Sequence, residues 1–290
     1  MKTKKRTPYF YMLPGVLMVL LFVYIPVLTN IVYSFFRLSS YSAGQTFVGL
    51  DNYRRFFTDP VFPIMLKNNI LYCVISLIVQ VGFGTFLALV LDSTLIKGKA
   101  KNFFRNLYYM PALISLTAVG LMFTFIYEPN IGFLNKVLEI FGLEGHSWLG
   151  DSKLAIFSII AMSQWQFTGY ITLLMVVAFQ NVSQDYIEAA KIDGAGPVKR
   201  ALTIMLPLAK EQLLVCTIIT VIGAFKLYTE VYATTSGGPG NSSQVLGVFL
   251  YQQAFLHDDL GMAAVTGVFI FVVTVALSIL QIRITRSGEI

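Results

Sequence analysis

The sequence predicts an all-α integral membrane protein of six transmembrane helices, with a cytoplasmic helix–turn–helix between spans four and five. Three observations carry this. Of 290 residues, 56% are hydrophobic and only 12% charged, where soluble domains carry roughly 25% charged residues. Six charge-poor runs are each long enough to cross about 30 Å of hydrocarbon at about 1.5 Å per residue. The Lys and Arg residues fall unevenly on the two sides that these runs define.

The runs are Tyr9–Phe36, Asn68–Leu91, Asn106–Tyr127, Leu154–Gln180, Gln212–Tyr232 and Leu260–Ile282. Five contain no Asp, Glu, Lys or Arg, and the fifth carries Lys226 and Glu230. Lipid leaves backbone groups no partner except within a helix or a closed barrel, and runs this long do not alternate as barrel strands do. With the N-terminus inside, fourteen basic residues face the cytoplasm: Lys2, Lys4, Lys5, Arg6, Lys97, Lys99, Lys101, Arg105, Lys191, Lys199, Arg200, Lys210, Arg283 and Arg286. Six lie outside: Arg37, Arg54, Arg55, Lys67, Lys136 and Lys153. Positive charge stays inside, so both termini are expected in the cytoplasm. The net charge of +6 then reflects topology, and nucleic acid is not expected as a partner. The basic start MKTKKR and its apolar run, interrupted by Pro14 and Pro26 with no small-residue cleavage site, read as an uncleaved first span. The whole chain, 1–290, reads as a single transmembrane domain without a linker.

In the outer loop after the first span, Leu50, Tyr53, Phe56 and Phe57 are placed to form the apolar face of a short surface helix. The loop from Glu128 to Lys153 is short. After the fifth span, Thr234 to Gly240 is a glycine-rich turn. Cys73 and Cys216 sit at different depths, so both read as small buried apolar residues rather than a disulfide.

The polar stretch at 183–207 is the most structured of the connections. Ser183 can cap a helix whose first turn holds Asp185 and Glu188, acids suited to its positive end. Gly194 can take the left-handed conformation that ends that helix. Pro197 suits the first position of a second helix. There Val198, Ala201, Leu202 and Met205 fall on one apolar face, with Lys199, Arg200 and Thr203 on the other. Pro207 ends or bends this helix before the next run.

The same stretch reads Glu188-Ala189-Ala190, three residues, Gly194, nine residues, then Ile204-x-Leu206-Pro207. It resembles the cytoplasmic-loop signature of permease subunits of binding-protein-dependent ABC importers, in their carbohydrate-uptake branch (maltose, lactose, multiple-sugar and glycerol-phosphate-like). Gly49-Leu50-x-Asn52-Tyr53, Asn68, Gly132 and Asn135 are also similar to that family. The resemblance implies that Glu188, Ala189, Ala190, Gly194, Leu206 and Pro207 couple the chain to a partner ATPase. It further implies a second permease subunit as a heterodimer partner, two ATP-binding subunits that hold ATP and Mg, and an extracytoplasmic solute-binding protein. The glycine-rich turn after the fifth span resembles one of the two permease types that pair in this way. A prokaryotic inner membrane is the implied location. Relatives often carry aromatic residues on the second short helix, where this chain has Val198 and Ala201.

No Gly-x-x-x-x-Gly-Lys-Ser/Thr occurs, so the chain is not expected to bind ATP. His146 and His257 are the only histidines, and neither they nor the two cysteines have metal-ligand spacing. No nucleophile, base and orienting acid come together. Cofactors, metal and catalysis are therefore expected to be absent from this chain.

Polar side chains in spans are costly and face the bundle interior or a water-filled path. Lys226 and Glu230, four apart, are expected on one helix face and able to pair, either as a structural ion pair or as cavity lining. Gln164, Trp165, Gln166, Thr168 and Tyr170 form a second cluster, and Tyr228 and Tyr232 a third. Amides, hydroxyls and aromatic faces suit a sugar, and they equally suit interhelical hydrogen bonding. The function expected is a pore-forming permease subunit that moves a carbohydrate, an oligosaccharide first, by alternating access. A phosphorylated polyol, an amino acid or a uronic-acid oligomer as solute, a secondary transporter and a membrane-embedded enzyme stay open as alternatives.

Overall fold

The computed structural model describes residues 7–40, 44–92 and 98–287. Lys2, Lys4, Lys5, Arg6 and Lys97, counted in the charge balance, lie outside the described residues. Among the described residues, the regular structure is helical apart from one two-stranded hairpin. In order, its elements are α1 (Tyr11–Tyr33), β1 (Phe36–Arg37), β2 (Thr46–Phe47), α2 (Asp51–Thr58), α3 (Phe62–Leu91), α4 (Gly98–Tyr109), α5 (Leu116–Ile126), α6 (Phe133–Ile140), α7 (Ala155–Gln180), α8 (Gln184–Ile192), α9 (Pro197–Leu208), α10 (Lys210–Phe225), α11 (Thr229–Thr234), α12 (Leu246–Leu256) and α13 (Leu260–Ser287). Among the described residues, four helices, α1, α3, α7 and the Leu260–Thr285 part of α13, are long and apolar enough to cross a membrane. There are six candidates if each of two bent helix pairs is one span.

Contacts divide the chain into two compact units, one running to Phe62 with Phe249–Val272, the other Pro63–Val248 with Val273–Ile290. In the first, β1 and β2 pair antiparallel, Phe36 opposite Phe47. The buried face of α2 is not the expected apolar one. Asn52 and Phe56 are buried, while Leu50 precedes the helix and is exposed with Phe57. Asn52 Nδ2 donates to the carbonyls of Ser34 (3.0 Å) and Phe36 (2.8 Å), tying the helix to the chain that leaves α1. A buried amide here satisfies backbone groups that no sheet neighbour reaches. Phe56 packs edge-on against Phe57 and Phe62 and tilted against Phe249 and Phe269.

The second unit is centred on α3 and α7. Ala88, Leu91, Ile171, Met175, Val176 and Phe179 form its core with Ala209 and Cys216. Cys73 and Cys216 are both free and buried. Two expected spans differ from straight helices. The run Asn106–Tyr127 bends by 97° between Asn102–Leu113 and Leu116–Ile126. Pro111 lacks an N–H, and Ile114 and Ser115 are extended (ψ 140° and 134°). Gln166 Nε2 donates to the freed Ile114 carbonyl at 3.0 Å, and this tertiary partner makes the break tolerable in an apolar setting.

The run Gln212–Tyr232 is also interrupted, since α10 ends at Phe225 and α11 begins at Thr229. Asn69 Nδ2 donates to the Ala224 carbonyl at 2.6 Å, and Asn69 Oδ1 accepts from the Leu246 N–H at 3.0 Å. One side chain of α3 thus holds both the end of α10 and the start of α12. Gly247 completes the fit, because a Cβ there would overlap the Leu227 carbonyl oxygen. Asn68 sits inside α3 rather than at its start, and its Nδ2 donates to the Ser242 and Gln244 carbonyls, both at 2.9 Å.

Candidate functional site

The break in the fifth run opens onto a cavity of about 540 Å³ in the second unit. Its polar lining comes from Tyr72 and Gln80 of α3, Tyr170 of α7, Thr220 of α10, and Lys226, Tyr228, Thr229 and Glu230 at and beyond the break. Lys226 and Glu230 do not share a helix, which corrects the expected four-apart pair. Lys226 caps the end of α10 (φ −94°, ψ 8°) and is exposed. Glu230 lies in the first turn of α11 and is buried. No ion pair joins them among the described residues, and both open onto the cavity. Tyr228, non-helical at φ −143°, stacks on Tyr232 with ring centroids 5.2 Å apart. Tyr72 is buried and hydrogen-bonded to Ser163 of α7.

The polar cluster of the fourth run is divided between two cavities and a helix bend. Tyr170 alone joins the cavity at the broken span. Gln164, Trp165 and Thr168 line a second, mostly apolar cavity of about 470 Å³ with Phe83, Leu107 and Tyr108. Gln164 Nε2 donates to Ser76 Oγ (3.2 Å) and to the Ile160 carbonyl (3.1 Å), and Thr168 Oγ1 donates to the Gln164 carbonyl (2.6 Å). Trp165 packs on Phe123 at 5.4 Å. Gln166 holds the bend between α4 and α5 as described. Tyr72, Gln80, Thr220, Thr229 and Phe167 also line the cavity at the broken span and are not among the residues the sequence singles out. The polar ones carry a signal, since polar groups in a span tend to face inward.

The segment 183–207 folds as its punctuation directs. Ser183 Oγ accepts the Asp185 N–H at 3.3 Å and caps α8. Gly194 takes φ +76°, and the Ala195 N–H reaches back to the Ala190 carbonyl at 2.8 Å. Pro197 opens α9, and Arg200 Nη1 donates to the Ala195 carbonyl at 2.7 Å across the turn. A 72° bend at Ala209 separates α9 from α10. One detail differs: only Asp185 is in the first turn of α8, and Glu188 stands in the second, beyond the closest reach of the helix N-terminus.

The expected apolar face of α9 is split. Met205 and Leu206 pack on the α3–α7 core, whereas Val198 and Leu202 are 71% and 59% exposed. Glu188, Ala189, Gly194 and Pro207 are exposed and Ala190 is half-buried. Tyr186, Ala189, Ala190, Asp193, Ile204 and Pro207 border an open groove of about 440 Å³. The elbow therefore offers an uncovered groove on one side and grips the helical core through Leu206 on the other.

Membrane-length helices, a cavity with polar groups in its mostly apolar wall beside a broken span, and an elbow gripping the core define a helical transport domain of the permease class. The chain belongs to the family described as binding-protein-dependent transport system inner membrane component, which matches residues 80–287. It is 42% identical over 287 residues, 98% of each chain, to the probable ABC transporter permease protein YurN of Bacillus subtilis (strain 168). It is 30% identical to the arabinooligosaccharides transport system permease protein AraP of the same organism, covering 98% of this chain and 90% of that one. Among solved structures, a chain of a bacterial ABC transporter involved in the import of the acidic polysaccharide alginate superposes with a TM-score of 0.83. That pair shares 19% identity and covers 96% of this chain and 94% of the other, a likeness of fold.

Proposed function

We propose that this chain is one of two different permease subunits forming the pore of an ATP-driven importer, and that it carries an oligosaccharide by alternating access. In this reading 1–290 is one transmembrane domain with both termini in the cytoplasm. Two ATP-binding subunits hold ATP and Mg beneath it and perform the hydrolysis, and an extracytoplasmic solute-binding protein delivers the sugar. The exposed groove beside Glu188, Ala189 and Ala190 receives the ATPase, Gly194 keeps the elbow bent, and Leu206 and Pro207 pass its movement to α7 and α10.

The observation that carries the sugar reading is the cavity at the broken span. Tyr72, Gln80, Tyr170 and Tyr228 present hydroxyl, amide and aromatic groups there, matching a ring that has hydroxyls at its rim and C–H groups on its faces. Similarity to AraP, whose name gives arabinooligosaccharides as its cargo, supports it. Lys226 favours a second reading. With no ion pair to Glu230, it is available to a carboxylate or phosphate, as a uronic-acid oligomer or a phosphorylated polyol would require.

The decisive experiment measures uptake in cells carrying all subunits. Gly194→Val adds no clash, since nothing lies within 4 Å of a Cβ there, but the left-handed backbone costs about 1–2 kcal/mol for a residue with a side chain. Gly194→Val and Glu188→Lys should reach the membrane in normal amounts and fail to transport, with ATPase subunits weakly held or hydrolysing without uptake. Normal uptake in both would remove the elbow from the mechanism. Lys226→Met separates the two solute classes: neutral oligosaccharide uptake persists under the first reading, and an anionic solute loses uptake selectively under the second.

A further inference from the structure

The loop between α5 and α7 is folded inside out. Glu128 opens it, its carboxylate accepting the N–H groups of Ile131 (2.6 Å) and Asn130 (2.7 Å). Those donors, Ile131 first, hold the Glu128 carboxyl below the usual carboxylate range. The centre of the loop is Asn135, 1% exposed. Its Nδ2 donates to the carbonyls of Pro129 and His146, both at 2.9 Å. Its Oδ1 accepts from the His146 N–H (3.1 Å) and from Trp148 Nε1 (2.7 Å). Ser158 Oγ of α7 then donates to the Trp148 carbonyl at 2.9 Å, fastening the knot to the helix.

The outside of the same loop is apolar. Ile131 is 78% exposed, Phe133 68%, Ile140 80% and Phe141 74%. Along α6, Phe133, Val137 and Ile140 stand at i, i+4 and i+7, which is one stripe. The charges of this helix, Lys136 and Glu139, pair at 2.9 Å, so the helix is neutral. A loop surrounded by water hides such groups and shows its amides; this one does the reverse.

Its attachment says what covers it. The turn from the end of α5 is compact, with the Gly132 N–H on the Glu128 carbonyl at 3.0 Å, so α6 cannot leave the membrane boundary at which α5 ends. The uncovered face of α5, Leu121 and Phe125, is 53% and 73% exposed and leads directly to Ile131. We propose that this loop rests in the membrane: α6 lies along the bilayer interface on the side where α5 ends, with Phe133, Ile140 and Phe141 among the lipid acyl chains. The Asn135 knot supplies the internal hydrogen bonds that lipid cannot. The inference rests on α5 being part of a membrane span.

The test places single spin labels at Phe125→Cys, Ile140→Cys, Phe141→Cys and Glu144→Cys in the full chain, in nanodiscs of phosphatidylethanolamine and phosphatidylglycerol. The chain without an added cysteine gives the background, Cys73 and Cys216 being buried. Labels at 140 and 141 should be reached by dissolved oxygen more than by a soluble nickel chelate, as at 125, with the order reversed at 144. Chelate access at 140 and 141 equal to that at 144, with 125 still shielded, overturns the proposal. So does shielding that appears only when a solute-binding protein or second permease subunit is added, which would make the face a protein dock. Chelate access at 125 as well would instead overturn the membrane placement of α5 and, with it, the proposal.

Discussion

Helices α1 and α7 are of similar length, 23 and 26 residues, and behave oppositely. In the most apolar stretch of α1 nothing is buried within the chain, whereas 67% of the corresponding stretch of α7 is. The more polar helix is the more buried one. Ser158, Ser163, Gln164, Gln166, Thr168 and Thr172 of α7 are all buried, while Leu17, Leu21, Phe22 and Ile25 of α1 are exposed. In water this order would be inverted. Lipid is as apolar as Leu, so association between helices rests on close packing and on hydrogen bonds that lipid cannot offer. The amide of α1 obeys the same rule, since Asn30 Nδ2 donates to the Ala264 carbonyl at 3.2 Å.

The largest test of this contrast uses one glycine from each helix. A Cβ on Gly169 of α7 would overlap the Tyr108 carbonyl oxygen, whereas Gly15 has nothing within 4 Å. Gly169→Val should cost about 3 kcal/mol or more, the upper end of core overpacking, or abolish accumulation in the membrane. Gly15→Val should leave both unchanged. Thermal unfolding in nanodiscs with membrane abundance reads the difference, and equal effects would break the comparison.

The contrast also explains which features were legible in the sequence. Run length and charge revealed the membrane class, and Ser183, Gly194 and Pro197 revealed the elbow, because each acts within a few residues of itself. The two breaks were not legible. Pro14, Pro26 and Pro111 look alike in sequence, yet α1 runs through its prolines and the third run turns at Pro111. What differs is Gln166, which takes the freed carbonyl of Ile114, 52 positions earlier in the chain. The break at Lys226 likewise depends on Asn69 and Gly247, so an i, i+4 reading of Lys226 and Glu230 could not anticipate it. The polar residues of α7 read equally as path or as packing, and only their partners divide Tyr170, which opens on the cavity, from Gln166, which holds a bend.

An intermediate effect is expected at that bend. Gln166→Leu keeps the bulk and removes the donor, leaving the Ile114 carbonyl without its partner in an apolar setting. The expected loss is about 1 kcal/mol, the scale of a hydrogen bond between membrane helices. A cysteine-directed label beside the bend, at Ser115→Cys, should also become more mobile, which mere loss of stability would not produce. An unchanged label with unchanged stability would mean that Pro111 bends the chain unaided.

The smallest effect should come from α1, and its smallness is informative. Phe22 is 73% exposed, so Phe22→Leu removes aromatic surface that touches little of this chain. In lipid the exchange trades one apolar contact for another, with no hydrogen bond broken and no cavity left. The stability of the isolated chain in nanodiscs should change by less than about 0.5 kcal/mol, the range of substitutions away from packed features. The same substitution in the assembled transporter asks a different question. If lipid covers α1 there as well, uptake and subunit recovery stay as they were. If a second permease subunit packs on this helix, the ring becomes part of an interface and its loss lowers recovery of the partner, while the isolated chain remains unaffected. The pair of measurements thus separates a helix that is bare because lipid suffices from one that is bare because its protein neighbour is another chain.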